Sequence, residues 1–263
     1  MLKTLSIATL VLLTAATATF AADKPKPVRA LLVTGGCCHD YEAQKKILSE
    51  GISKRAHVDF TVVHEGGDSR DHLISIYKKP NWWQGYDVVV HNECFGQVAD
   101  NASIEGIAAA HKAGIPAVML HCSSHSYRAA TTDEWRMAVG ITSRSHEKNR
   151  DLEIKVVNAD HPIMKGFPET WNNPADELYK NEKVWPDVVP LAKAYGVDTK
   201  QDHIVIWTNT YGKARVFATT LGHGNATMAN PVYLDLVTRG LLWSCEKLSD
   251  EGIPKEGYGP GGQ

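Results

Sequence analysis

Short apolar runs alternate with amphipathic segments through the first half of this chain. Residues 28–34 (VRALLVT), 86–91 (YDVVVH) and 115–120 (IPAVML) have the composition of buried strands. Residues 58–65 alternate in hydrophobicity, as in a strand near an edge, and residues 70–79 and 132–140 fit short helices. Longer segments with helical periodicity lie at residues 41–55 and 101–114. This alternation predicts βαβ units in an α/β fold with an open, doubly wound, mostly parallel sheet.

In the second half of the chain, predicted strands follow one another and no longer alternate with helices. Strand-like runs lie at residues 151–158, 188–196 and 203–222, and a turn at Tyr211-Gly212-Lys213 makes the last one a hairpin. A helix at residues 230–245, with Pro231 in its first turn, closes the unit. We therefore expect one domain over residues 28–247, with C-terminal β-hairpin strands added to the sheet. The Gly- and Pro-rich residues 248–263 are expected to form a flexible tail.

The N-terminus has the pattern of a secretory signal peptide, with Lys3, an apolar run over residues 5–13 and small residues up to Ala21. We expect residues 1–21 to be removed and residues 22–27 to form a short leader. The mature protein is then periplasmic or secreted. The formal net charge is −2 and the pI about 6.6, without a basic stripe, so neither nucleic acid nor a membrane is an expected partner. The oligomeric state stays open.

Histidines stand where several of the predicted strands end. His39, His91, His121 and His223 each lie at or just after the end of an apolar run. Because ligands of open parallel sheets bind beyond the carboxyl ends of the strands, the fold is expected to gather these side chains on one rim. Neutral imidazoles with a carboxylate bind Zn²⁺, Mn²⁺ or Fe²⁺, and the same groups can serve as general acid and base. The candidate carboxylates are Asp40, Glu93 and Glu177.

The other histidines have less distinctive surroundings. Five lie in helices or loops with polar neighbours and are predicted to be on the surface: His57, His64, His72, His111 and His146. His161 precedes a proline in DHPIMKGFP and is predicted to fix a turn.

The five cysteines, Cys37, Cys38, Cys94, Cys122 and Cys245, form no disulfide framework by their spacing. Adjacent cysteines rarely bond to each other because the ring is strained, so a Cys37–Cys38 bond is not expected. Three of the five lie at strand ends, where some pair of them can bridge in an oxidising compartment. Cys122 directly follows a predicted strand, where a nucleophile would be presented, but the glycine expected after a sharp elbow is missing and a buried, inert thiol is the favoured interpretation.

Several stretches resemble the ThuA-like (trehalose utilisation) family. They are LLVTGGCCHD, YDVVVHNE, AGIPAVMLHCSSHSYR, DHPIMKGFP, DELY, IVIWTNTYGKARVFATTLGHG and NPVYLDLVTRGLLWS, in the order of the family and over roughly residues 28–245. The resemblance implies a flavodoxin-like fold of the class I glutamine amidotransferase type and a link to carbohydrates, often sugars oxidised at the 3-position. It also implies a polar pocket with His39, His121, His223 and Glu177, and adds His203.

One departure from the amidotransferase pattern is informative. Glutamine amidotransferases keep a His-x-Glu pair near the C-terminus, whereas His223 is followed by Gly224 and Asn225. Amidotransferase activity is therefore not expected.

Together these features predict an exported protein that acts on a sugar or a 3-keto glycoside by metal-assisted hydrolysis, elimination or isomerisation. No nucleotide cofactor is expected. The predicted catalytic residues are Glu177, His121 and Glu93. The predicted substrate-binding residues are His39, Asp40, Asn92, Ser124, Tyr127 and His203. The predicted ligands of a divalent metal are His39, His121, His125 and His223. A non-catalytic protein that binds sugar or metal is the alternative, followed by a hydrolase that depends on Cys122.

Overall fold

The computed structural model describes residues 25–263, and the predicted signal peptide lies outside this part of the chain. The strands are β1 (Val28–Gly36), β2 (Val58–His64), β3 (Val88–Cys94), β4 (Ala117–Leu120), β5 (Ile141–Thr142), β6 (Arg150–Val156), β7 (Thr170–Asp176), β8 (Lys183–Val184), β9 (Val189–Gly196), β10 (Gln201–Tyr211) and β11 (Ala214–Thr219). The α-helices are α1 (Tyr41–Ser53), α2 (Asn101–Ala113), α3 (Glu134–Val139), α4 (Asn225–Met228) and α5 (Pro231–Ser244). Single 3₁₀ turns lie at Ser75–Lys78, His121–Ser124, Pro162–Met164 and Pro260–Gly262.

Nine strands form the main sheet, in the order β2-β1-β3-β4-β11-β10-β9-β6-β7. The five strands from β2 to β11 are parallel to one another, and the next four alternate in direction. Strands β5 and β8 pair separately. The predicted mostly parallel, doubly wound sheet with added C-terminal strands is therefore confirmed.

Side chains that alternate along each strand build two cores. Leu32 and Val90 pack with α1 and α5 on one face of the sheet, while Leu31 and Val89 pack with α2 and α3 on the other. Capping residues start the helices close to where the sequence predicts, since Asp40 accepts a hydrogen bond from the backbone N–H of Ala43 (3.1 Å) at the start of α1.

Strands of the alternating half also end at the edge of the sheet where the parallel strands end. Because strand direction reverses three times between β10 and β7, strands β9 and β7 run in the same direction as β1. The carboxyl ends of β1, β3, β4, β11 and β7 therefore point to one edge. This edge carries His39, His121 and His223. The fourth histidine expected there, His91, is instead fully buried within β3, where it contacts His111.

Two segments before the last helix differ from expectation. Residues 70–79 form only the 3₁₀ turn Ser75–Lys78, because the Glu65 carboxylate accepts hydrogen bonds from the backbone N–H of Ser75 (2.8 Å) and from His72 (3.0 Å) and holds this segment as a loop. Strand β7 was not predicted, since its sequence TWNNPAD is polar and contains a proline.

The C-terminal residues are held against the domain instead of forming a loose tail. The backbone N–H of His57 donates to the carbonyl of Tyr258 (3.0 Å), and Tyr258 packs against the core. Leu248 and Pro254 form a β-bridge. Within residues 25–263, no helix combines the length and apolar character that crossing a bilayer requires.

Two helical glycines should respond to alanine in opposite ways. A Cβ at Gly240 would overlap the ring of Phe217, whereas one at Gly106 would meet no atom. We expect Gly240→Ala to lower the free energy of unfolding by about 1–3 kcal/mol through overpacking. Gly106→Ala should raise it by about 0.4–1 kcal/mol, because alanine has less freedom in the unfolded chain. Denaturant unfolding of both variants measures this, and equal effects would contradict the packing of α5 on β11.

Candidate functional site

A cavity of about 150 Å³ opens at the edge where the carboxyl ends of the strands meet. Most of its lining residues lie at the ends of β1, β3, β4, β7 and β11 or in the loops after them. Arg70 and His146 come from the loops after β2 and β5. The lining residues are Cys37, Cys38, His39, Arg70, Cys94, Gly96, Gln97, Cys122, His125, Arg128, His146, Glu177, Tyr179 and His223. The volume is below the roughly 300–1,000 Å³ of pockets that enclose a drug-sized ligand, so the cavity suits one small ring or part of a larger ligand.

Three imidazoles lie close together at this cavity, two of them, His39 and His223, in its lining. His39, His121 and His223 each present one ring nitrogen, and these three atoms lie within 4.8 Å of one another. Nδ1 of His121 donates to the carbonyl of Thr220 (2.6 Å), and Nδ1 of His39 donates to the carbonyl of His223 (3.2 Å). Because a carbonyl only accepts, both rings keep Nε2 as a lone pair when neutral.

The third imidazole, that of His223, has a ring nitrogen without a hydrogen bond in the described part of the chain. Nδ1 of His223 is buried and has no hydrogen-bond partner among the described residues. It lies 3.5 Å from Oε1 of Glu177. A buried ring nitrogen without a partner, in a group of three imidazoles beside a carboxylate, is unusual in a structural histidine.

Glu177 supplies the carboxylate of the site. Its oxygens lie 3.6 Å from Nε2 of His121 and 3.5 Å from Nδ1 of His146. Burial alone would raise the pKa of Glu177, but its contacts with His121 and His223 outweigh burial and hold the pKa well below the usual range. Contact with Glu177 raises the pKa of His223, while burial and the two neighbouring imidazoles lower the pKa of His39 to about 3.

A buried aspartate places Glu177 beside the histidines. Asp176, at the end of β7, accepts hydrogen bonds from the backbone N–H groups of Glu177 (2.8 Å), Gly222 (2.8 Å) and His223 (3.2 Å). Asn173 donates a further bond to it (2.6 Å). The end of β7 is thereby fixed to the loop after β11. Sequence reasoning missed Asp176, although it begins the DELY stretch.

The turn after β4 presents a histidine, not a cysteine. His121 directly follows β4 and has a φ of 43°, in the left-handed region that non-glycine residues seldom adopt. Such a conformation costs on the order of 1–3 kcal/mol and is found mostly at functional positions. The position expected for a Cys122 elbow is thus occupied by the imidazole of His121.

All four cysteines near the cavity are paired. Cys37 bonds to Cys38, and Cys94 bonds to Cys122. The first pair corrects the expectation that adjacent cysteines stay apart, and Cys38 has a φ of 88°. The second pair joins the ends of the neighbouring strands β3 and β4. Cys122 therefore has no thiol to act as a nucleophile while this bond is intact.

Two predicted residues of β3 are not among the residues that line the cavity. Glu93 points to the opposite face of the sheet from Cys94, whereas Asn92 points to the same face but lies two residues before it. Glu93 is fully buried on the α2 face, where one oxygen lies 2.9 Å from Nδ1 of His91 and 3.1 Å from the hydroxyl of Tyr77. Asn92 faces α1 and donates to Gln44 (3.2 Å). The structure thus brings neither Glu93 nor Asn92 to the cavity with the converging histidines.

Four other predicted substrate-binding or metal-binding residues have structural partners. Tyr127 donates to Glu93 (3.4 Å) in the buried cluster, and Ser124 donates to the carbonyl of His121 (2.7 Å). His203 accepts a hydrogen bond from the backbone N–H of Asn181 (3.0 Å) away from the cavity. His125 lines the cavity but stacks on Tyr179, with ring centroids 3.8 Å apart, and is not one of the three converging imidazoles.

The last predicted residue, Asp40, caps α1 at an exposed position and accepts a hydrogen bond from Asn225 (2.8 Å). It does not line the cavity.

Sequence reasoning also missed residues that the structure places in the cavity. His146 is exposed, as predicted, but it also lines the cavity beside Glu177, and Tyr179, Arg70 and Arg128 line the walls. His111, also predicted to be exposed, is fully buried and faces His91 at 3.0 Å. A larger depression of about 1,040 Å³ lies at the opposite edge of the sheet, but it has no histidine in its lining.

Comparison with known proteins gives a consistent family match. The model of the ThuA family, described as trehalose utilisation, matches residues 29–244. A ThuA-like protein from Parabacteroides merdae has a TM-score of 0.68 and 19% identity, over 88% of this chain and 94% of that chain. A ThuA-like protein from Bacteroides uniformis has a TM-score of 0.63 and 15% identity, over 88% and 95%.

A β-galactosidase from Bacillus circulans sp. alkalophilus is similar over 89% of this chain but only 33% of its own, with a TM-score of 0.52 and 14% identity. At these identities the structural matches establish the fold alone. The family model confirms the resemblance drawn from the sequence, and the ThuA-like structures agree with its glutamine amidotransferase-like fold. No curated protein matches the chain.

The disulfides predict a thiol count. Of the five cysteines, four are paired, so 5 − 4 leaves Cys245 as the single free thiol. Burial raises the pKa of the Cys245 thiol to about 12, so it should react slowly in the folded protein. Titration with a thiol reagent in denaturant should find about one thiol per chain before reduction and about five after it. Three or more before reduction would show that a disulfide described here is absent.

Proposed function

The chain belongs to the ThuA family, and on that premise we propose that it is an exported enzyme that processes a sugar or a 3-keto glycoside with the help of a divalent metal. The observation that carries the proposal is the convergence of His39, His121 and His223 beside Glu177. A sugar-binding surface alone would not require three imidazole nitrogens within 4.8 Å of one another beside a carboxylate.

The residues fit a metal on three counts. Imidazole and carboxylate donors are the set that Zn²⁺, Mn²⁺ and Fe²⁺ accept. Metal-binding histidines typically donate their second N–H to a carbonyl or carboxylate, as His39 and His121 do here. The buried, unpartnered Nδ1 of His223 completes the set. Three of the four predicted ligands, His39, His121 and His223, are kept in this proposal and His125 is left out, while Glu177 stands beside them as a base and not as a ligand.

A bound metal would polarise a carbonyl or a pair of hydroxyls on the sugar. The protein's own groups would then handle the protons. In a 3-keto glycoside the C2–H bond is next to the ketone and the leaving oxygen is on C1. Glu177 would take the C2 proton, and the C1–O bond would break in the elimination. His146, 3.5 Å from Glu177 and partly exposed at the mouth, is placed to return a proton to the leaving oxygen.

Elemental analysis of the purified protein tests the metal. We expect about one Zn, Mn or Fe per chain, and His121→Ala should retain less than a tenth of it, because one of three converging nitrogens is lost. His64→Ala is the matched control, since this partly exposed histidine lies at the end of β2 outside the cavity, and it should keep the full content. Wild-type protein without metal, even after reloading, would refute the metal site.

Glu177→Gln tests the catalytic role. The variant keeps the shape of the side chain but cannot accept the C2 proton, so release of p-nitrophenol from 3-keto p-nitrophenyl glucoside should fall at least about 100-fold. Metal content should stay close to that of the wild type. A wild-type protein that binds this glucoside but never releases p-nitrophenol would refute elimination and favour a binding protein.

A further inference from the structure

Two arginines of the cavity lack the carboxylate partner that most other arginines of the described chain have. Of the nine, six pair with a carboxylate: Arg29, Arg55, Arg136, Arg144, Arg150 and Arg215. Arg239 donates to the carbonyl of Ile163 (2.7 Å). Arg70 and Arg128 both line the cavity, and within residues 25–263 neither forms an ion pair with a carboxylate, although Arg128 donates to the carbonyl of Arg144 (3.1 Å).

One short segment holds both arginines at the rim. The backbone N–H of Gln97 donates to the carbonyl of Arg70 (2.8 Å). The carbonyl of the preceding residue, Gly96, accepts from the backbone N–H of Ala129, next to Arg128 (3.1 Å). The loops that carry the two arginines are therefore fixed on either side of Gly96–Gln97, and their positions do not depend on a ligand.

Gly96 makes room for one of these side chains. A Cβ at this position would lie 3.1 Å from Nε of Arg128 and 3.3 Å from the carbonyl oxygen of His125. The φ of Gly96 is not in the positive range, so the backbone does not require glycine here. The space is used by the guanidinium group that leans over the cavity.

The charge of the cavity is unbalanced. Two guanidinium groups face a single lining carboxylate, Glu177, which already contacts three histidines. The excess is local, because the whole chain has a formal net charge of −2. A neutral sugar would leave both guanidinium groups without an anionic partner, whereas a carboxylate or phosphate gains charge-assisted, bidentate hydrogen bonds.

We propose that the ligand of this cavity is an anionic sugar, whose carboxylate or phosphate binds Arg70 and Arg128 while its ring reaches Glu177 and the three histidines. This inference rests on the proposed function, because it uses the same cavity for the ring. It adds a substrate class, sugar acids or sugar phosphates, and two residues that set specificity.

Calorimetric binding of three probes tests the inference: glucuronate, glucose 6-phosphate and glucose. We expect the better of the two charged probes to bind wild-type protein at least 10-fold tighter than glucose, and the comparison of the two identifies the anionic group. The advantage should fall as ionic strength rises. Arg70→Ala/Arg128→Ala should remove it, Arg128→Lys should retain part of it, and Arg144→Ala, outside the cavity and paired with Glu182, should leave it unchanged.

A second variant tests the geometry without altering charge. Gly96→Ala should displace Arg128 and reduce the preference for the charged probe, while metal content stays at the wild-type level. Equal binding of all three probes to the wild type would overturn the inference. So would a preference that survives in the double alanine variant, since the anion would then be bound by other groups.

The outcomes separate this inference from the function on which it rests. Turnover of the neutral 3-keto glucoside without any preference for charged probes would refute the anionic ligand and leave the proposed function standing. Arginine-dependent binding of a charged probe, with no turnover of any 3-keto glycoside and no metal, would refute the proposed function and support the anionic ligand.

Discussion

The candidate site depends on one buried carboxylate, that of Asp176. A carboxylate removed from water is costly unless donors replace the lost hydration, and here four N–H groups do so. The bonds fix the end of an edge strand to a loop that follows a strand of the parallel half. The same loop then orients a further residue, because the carbonyl of His223 accepts from Nδ1 of His39. One carboxylate thus connects three separate parts of the chain.

The oxidation state of the cysteines determines which donors the cavity offers. Four sulfur atoms lie in its wall, and one ring nitrogen of His39 lies within 4.8 Å of the sulfurs of Cys94 and Cys122. As thiolates they would compete for soft metals. Paired in disulfides, they form an apolar wall instead, and imidazole and carboxylate remain as the donors.

The parallel half of the fold could be predicted from sequence because buried strands have continuous apolar runs. The rule that ligands bind beyond strand ends also identified His39, His121 and His223. It fails for Glu93, because position along a strand does not tell which face a side chain takes when both faces are buried. Tyr179 and His146 were missed for another reason: they follow or flank strands of the alternating half, and the polar sequence of β7 gave no strand signal.

The disulfides show a further limit of sequence reasoning. Cys94 and Cys122 are far apart in the chain, and only the neighbouring positions of β3 and β4 bring them together. Likewise the unpaired state of Arg70 and Arg128 is a property of the folded surface. Each depends on contacts between segments, which periodicity and composition do not encode.

The reversal of strand direction beyond β11 has a consequence for how such a site can vary. Strands added as hairpins come in pairs, so each addition restores the original direction at the new margin of the sheet. An inserted or deleted hairpin would therefore still leave a strand whose last residue points to the cavity edge, as Asp176 does now. The parallel strands and the loops after them would stay the same. Variation in the alternating half would then change which loop brings a carboxylate to this edge, without changes to the two cores.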